Sequence, residues 1–372
     1  MPKRRRAPIP ESDNLLTMKA TTSMFVLVAL PLLAGDPAPL RAFLENSVKG
    51  KQVAGAVVVV EHRGKVVFRE AFGLADVAAD RRMTTGDLFM MASSTKPFSA
   101  TTVLTLVDQG KLKLDDPVSK FYPEFRGAST VRQLLSHTSG IFGNDGGPEA
   151  VKWIRNLDLS VRDSVAGILS IPPAYEPGTK YSYGGASFEV AGGIVETLAG
   201  MDFDQYMRKV LLDPLGLHDT CFRTTTDVSD RVPVMYASKG GVLTALPAIT
   251  DRAGMRGPRP SGFVLVAGGL YSTGDDCIRF LRMHLNRGTA DHKRILSERM
   301  VGEMQTRQTG TLKENYGLGW NLHSNGAIGH GGAYGTDIWF HPQHDLAVAV
   351  MIQNPRAQPF QQQVRKLVLE IW

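Results

Sequence analysis

Apolar and polar positions change rhythm twice along this chain. Over residues 39–49 the apolar side chains Leu40, Phe43, Leu44 and Val48 fall on one side of a 3.6-residue period, which predicts an amphipathic helix. Residues 53–61 are a β-branched run, His62-Arg63-Gly64 reads as a turn, and residues 65–72 read as a return strand, so a hairpin is expected. From about Ser93 to Pro247 the rhythm becomes helical, as at residues 163–169 and 187–198, between loops rich in Gly and Pro. Strand signals return at 335–340 and 346–352 around a His-Pro-Gln-His-Asp turn, and residues 362–372 close as an amphipathic helix.

Strands at both ends with helices between them predict an α/β (α+β) fold. Its antiparallel sheet is built from residues 37–92 and 263–372, is flanked by helices, and carries a mostly helical insertion at 93–262. Residues 232–262 carry the weakest pattern. No repeat, heptad or low-complexity tract interrupts this plan.

The first 36 residues stand apart as an arm or signal-like segment. MFVLVALPLLAG at 24–35 is shorter than the roughly 20 residues that span a bilayer, but it has the length of a signal-peptide core. Lys19 supplies a positive flank if translation starts at Met18. The expectation is export, with a plain arm on a cytoplasmic protein as the alternative.

Composition narrows the classes. The chain has 372 residues, 43% hydrophobic and 21% charged, enough to bury a large core. Much of the net charge of +6 comes from Lys3, Arg4, Arg5 and Arg6, and no basic stripe with interleaved aromatics follows, so no nucleic-acid partner is expected. The 2 cysteines, Cys221 and Cys277, exclude a disulfide scaffold and read as two thiols rather than a pair.

The candidate chemistry begins at MASSTKPFSA, residues 91–100. A proline is tolerated in the first turn of a helix, so Pro97 places the start of the following helix near Ser93. Unpaired N–H groups and the positive end of the macrodipole gather there, which suits a nucleophilic oxygen. Lys96, one turn on, shares a face with Ser93, and an amine that close can take a serine proton. The same residues also read as an N-cap serine followed by a surface lysine.

The wider context decides between these readings. MASSTKPFSATTVLTLVDQGKLKLDDPV resembles the nucleophile region of serine β-lactamase-type hydrolases, which include class C β-lactamases, penicillin-binding D-Ala-D-Ala carboxypeptidases and family VIII carboxylesterases. The likeness continues in order through LLSHTSGI, PGTKYSYGGASFEVAGGIVE, YMRKVLLDPLGLHDT, AGGLYSTGDD and GHGGAYGTDIWFHP. By position the resemblance implies Ser93 as nucleophile, Lys96 as its activating amine and Tyr183 as the proton-shuttling tyrosine. It places Tyr181 as a packing aromatic. His330, Gly331 and Gly332 would form the substrate-binding strand, and the N–H groups of Ser93 and Ala333 an oxyanion hole. No metal or organic cofactor is implied.

Two departures steer the substrate. Gly185 stands where the family usually carries an asparagine that orients the lysine and binds an acylamide. His330 replaces a lysine that would grip a substrate carboxylate. Both favour a small-molecule ester over a β-lactam or a cell-wall peptide, which remain the alternatives, followed by a non-catalytic peptide-binding module. His137 reads as structural, since no Gly-x-Ser-x-Gly elbow accompanies it. His341 and His344 read as a solvated turn, Asp115-Asp116-Pro117 as a turn or helix cap, and Trp320 and Trp339 as core or cleft wall.

Overall fold

The computed structural model describes residues 35–155, 159–222, 230–246, 264–355 and 357–372, together with residues 2 and 8. The signal-like run up to residue 34, and residues 247–262 of the weakly patterned stretch, lie outside the described residues. Seven strands form one antiparallel sheet. In chain order these are β1 (Gly55–His62), β2 (Lys65–Asp76), β3 (Arg81–Arg82), β4 (Asn321–Leu322), β5 (Ile328–Gly331), β6 (Asp337–His341) and β7 (Leu346–Met351). Their spatial order is β4-β5-β6-β7-β1-β2-β3, so β7 pairs with β1 and joins the two ends of the chain.

The β1–β2 hairpin turns on Arg63 and Gly64 alone, because His62 pairs with Lys65. Both turn residues have positive φ, 53° and 74°, which matches the twist of the flanking strands.

Strand alternation gives the central strands two buried faces. Val58, Val60, Val348 and Val350 point to one side, where they meet Leu40 and Leu44 of α1 (Ala38–Lys49) and Phe360, Val364 and Val368 of the C-terminal helix Gln358–Ile371. Val57, Val59, Ala347, Ala349 and Met351 point to the other and join a larger cluster that runs on into the helices of the middle region. On that side lies the helix Gly274–Leu285, capped by the Thr273 side chain, whose oxygen accepts the Asp276 N–H.

One helix threads that larger cluster. α2 (Lys96–Asp108) has every residue from Lys96 to Leu106 buried, and Phe98 stacks on Phe280 of helix Gly274–Leu285 at 3.7 Å between centroids. Its threonines are tolerated because their hydroxyls return to the helix: Thr101 donates to the Pro97 carbonyl at 2.8 Å and Thr102 to that of Phe98 at 2.9 Å. Trp320 and Trp339 are fully buried core residues. Cys221 and Cys277 are not joined by a disulfide.

Candidate active site

Pro97 lies in the first turn of α2, and a 3-10 turn, Ala92–Thr95, leads into it. Ser93 therefore sits on the approach to the helix start, half-buried. Ala92, just before it, has a φ of 45° without being glycine, a conformation of the kind that persists only where neighbours enforce it. Those neighbours are visible. Met91 donates its N–H to the Leu270 carbonyl at 2.8 Å, and its own carbonyl accepts the Thr336 hydroxyl at 2.9 Å. Ser94 donates to the His330 carbonyl at 2.9 Å, tying the turn to β5.

Lys96 is 2% exposed, which removes the surface-lysine reading. Its Nζ donates to Ser93 Oγ at 3.1 Å and to the Ala267 carbonyl at 3.1 Å. It also lies 4.8 Å from the centre of the Tyr183 ring and 5.7 Å from that of Phe188. Ser93, Lys96 and Tyr183 thus meet around one amine.

Tyr183 is placed by the loop that carries His137. The His137 carbonyl accepts the Ser182 N–H at 2.9 Å, and the Tyr183 carbonyl accepts the Asn144 N–H at 2.8 Å. The His137 ring packs 4.6 Å from that of Tyr183, with Tyr181, Phe188 and Tyr316 around it. Burial, with the Lys96 charge second, holds His137 well below the usual histidine range. The ring is buried among these aromatics, and Tyr181 packs against it at 5.7 Å.

The opposite wall is β5 and the turn after it. Gly332 donates its N–H to the Thr336 carbonyl at 2.7 Å, Gly335 closes back on the Gly332 carbonyl at 3.1 Å, and Ala333 is exposed at the tip. A Cβ on Gly332 would stand 2.3 Å from the Met91 carbonyl oxygen, so the close approach of turn and nucleophile segment requires glycine.

His330 departs from its expected part. Its side chain is 3% exposed, and both ring nitrogens face protein groups: Nδ1 the Gly331 carbonyl at 2.9 Å and Nε2 the Tyr316 hydroxyl at 3.1 Å. Burial pushes it down to about 3, with the Lys96 charge adding to the shift. The neutral ring donates from Nδ1, so Nε2 accepts from Tyr316, whose phenol burial holds well above its ordinary value. The polar atoms of the imidazole are thus taken up within the wall.

The remaining candidates fall elsewhere. Asp115 pairs with Arg132 and Asp116 with Lys120, so the two adjacent carboxylates serve different cations. His341 Nε2 meets the Asn325 carbonyl at 2.8 Å. Among the described residues no group of three or more His, Cys, Asp or Glu side chains could hold a metal ion. Sequence reasoning missed two groups. Tyr316 had no motif to mark it. Glu189 could have been found as the lone carboxylate inside the apolar run ASFEVAGGIV.

The chain matches the Beta-lactamase family over residues 40–371. It belongs to that family. It is 29% identical over 338 residues to esterase EstB of Burkholderia gladioli, covering 82% of each chain. It is 33% identical over 275 residues to penicillin-binding protein 4 of Amycolatopsis lactamdurans, covering 68% of each. Among solved structures, EstCE1, a hydrolase with promiscuous acyltransferase activity, superposes with a TM-score of 0.78 at 21% identity, over 88% of this chain and 97% of that one. That likeness is one of fold.

Proposed function

We propose that this protein is a serine hydrolase that cleaves carboxylic esters through an acyl-enzyme. The observation that carries the reading is the buried Lys96 amine, 3.1 Å from Ser93 Oγ, at the family's nucleophile position. Ser93 Oγ attacks the ester carbonyl while the Lys96 amine, in its neutral form, takes up the serine proton, and the Tyr183 hydroxyl relays it, accepting at its oxygen as it donates its own proton onward. The N–H groups of Ser93 and Ala333 stabilise the oxyanion. The proton passes to the departing alcohol, and water then releases the acid by the reverse relay.

Ester rather than amide is favoured by the two departures. Gly185 offers no side-chain amide to an acylamide, and His330 is buried and neutral, so it offers no charge to a carboxylate. The penicillin-binding relative supports the second reading, β-lactams or cell-wall peptides. Export through the apolar run at 24–35 belongs to the same proposal. Among the described residues no helix is long and apolar enough to cross a membrane.

The test is turnover of short-chain p-nitrophenyl esters, with intact-mass analysis after a fluorophosphonate and, separately, a penicillin. Ser93→Ala should abolish turnover and labelling while the protein stays folded. Nitrocefin hydrolysis far above ester hydrolysis would transfer the conclusion to the second reading, and no label on Ser93 would end both.

A further inference from the structure

Behind the amine lies a carboxylate that the hydrolytic scheme does not use. Glu189 projects from the helix Ala186–Ala199 between Phe188 and Val190 and is 2% exposed. Its Oε2 accepts the Val266 N–H at 3.2 Å and its Oε1 the Ala267 N–H at 3.0 Å. Two successive backbone donors turned to one carboxylate form an anion-holding nest. Burial pushes this group up to about 7, against the pull of the two N–H groups and of the Lys96 charge.

The clamped residues are the ones that hold the amine. Ala267, fixed at its N–H by Glu189, presents its carbonyl to Lys96 Nζ at 3.1 Å. The same loop is tied to the nucleophile segment on both sides. Ser99 donates to the Val266 carbonyl at 2.6 Å, and Leu270 donates its N–H to the Thr95 hydroxyl at 3.2 Å.

Gly185 makes the approach possible. A Cβ there would stand 3.3 Å from the Ala267 Cβ and 3.6 Å from Ile154 Cδ1, so a longer side chain would press on the loop.

We infer that Glu189 is a positioning residue for the acylation step: it clamps the 266–267 backbone so that the Ala267 carbonyl orients Lys96, in the room left by Gly185. This deepens the hydrolase reading and rests on it. A carboxylate that holds its own loop while leaving the amine unaffected would alter stability. One that orients the amine must alter the chemical step without altering substrate binding.

The experiment compares the full-length wild type with Glu189→Gln, which keeps the shape but turns an amide toward one of the two backbone donors. The readouts are the rate of Ser93 labelling by a fluorophosphonate, kcat and KM for p-nitrophenyl acetate, and Tm. The expected result is a labelling rate and kcat lowered at least about tenfold, with KM changed less than about twofold and Tm within a few degrees. Labelling at the wild-type rate would overturn the inference. So would a loss of rate matched by a rise in KM and a fall in Tm, the mark of a merely structural role. If Glu189→Gln does not fold, Gly185→Ala disturbs the same loop from the other side. Slowed labelling there supports the inference and an unchanged rate overturns it. A wild-type protein that fails to label at all would overturn the hydrolase reading and this inference with it, a result distinct from the others.

Discussion

The two walls of the cleft are built on opposite electrostatic terms. On the nucleophile side a buried amine is kept among oxygens: Ser93 Oγ, the Ala267 carbonyl and, through the loop backbone, the Glu189 carboxylate. On the β5 side His330 and Tyr316 satisfy each other as neutral groups, and the strand carries no cation toward the cleft. A buried amine within reach of the serine is present on one side, and a charged side chain able to hold a carboxylate is absent from the facing strand. The difference teaches that a buried amine can be held beside the serine without any charge on the facing strand, because the two sit on different elements.

The strongest way to break the comparison is to remove the amine. Lys96→Met preserves length and suits a site 2% exposed, so the protein should stay folded with a Tm equal to or above that of the wild type. Turnover of p-nitrophenyl esters should fall at least about a thousandfold, roughly 4 kcal/mol of transition-state stabilisation. Steady-state kinetics with an active-site titration checks this. A folded Lys96→Met protein with a tenth of wild-type activity would mean that the charged wall is not the working one.

The two walls also differed in how far the sequence disclosed them. Pro97 announced where α2 starts and hence where Ser93 and Lys96 sit, because proline geometry is local. The apolar runs, β-branched in β1 and β2, announced β1, β2 and β7, because the preference of such side chains for extended backbone is local. The unbroken apolar runs of β1 and β7 are consistent with cover on both faces, but they could not reveal which helices supply it, since those come from distant parts of the chain. The partner of His330 was hidden for the same reason. Tyr316 reaches it only because Asn321, bridged to Tyr316, pairs with Gly329 of β5. Glu189 and the loop it clamps are 77 and 78 residues apart, so the carboxylate was visible as an oddity and its partner was not. The family resemblance located positions. Burial then decided which side chains at those positions could act.

The next test puts charge into the neutral wall. His330→Lys restores the residue type common at this position in the resembling family, but here it would bury an ammonium at a site 3% exposed and already under the field of Lys96. Removing the imidazole also leaves the Tyr316 hydroxyl without its acceptor. The expected cost is about 3 kcal/mol of folding stability, read from urea unfolding at pH 7, without any gain in activity on β-lactams. A stable variant that hydrolyses nitrocefin would show instead that the wall can open to the cleft, and the contrast between the two sides would fail.

The smallest effect separates the walls by pH. His330 titrates near 6.5 when unfolded, whereas folding pushes it down to about 3, so above 6.5 both states are neutral and nothing is gained or lost. As pH falls below 6.5 the unfolded chain takes up a proton that the folded one refuses, and stability drops by about 1.4 kcal/mol per pH unit for this group until about pH 3. Glu189 has the opposite sign. Its folded value lies above that of the free side chain, so between about 7 and 4.5 acid relieves the penalty of its burial. Measured as the difference between wild type and variant, His330→Gln should therefore gain on the wild type as pH falls from 6.5 to 5. Glu189→Gln should lose ground over the same range. Parallel stability curves for wild type and His330→Gln would mean that the folded imidazole takes up its proton as readily as the unfolded one, with the Tyr316 hydroxyl turning to accept from Nε2, and that burial does not hold the ring neutral.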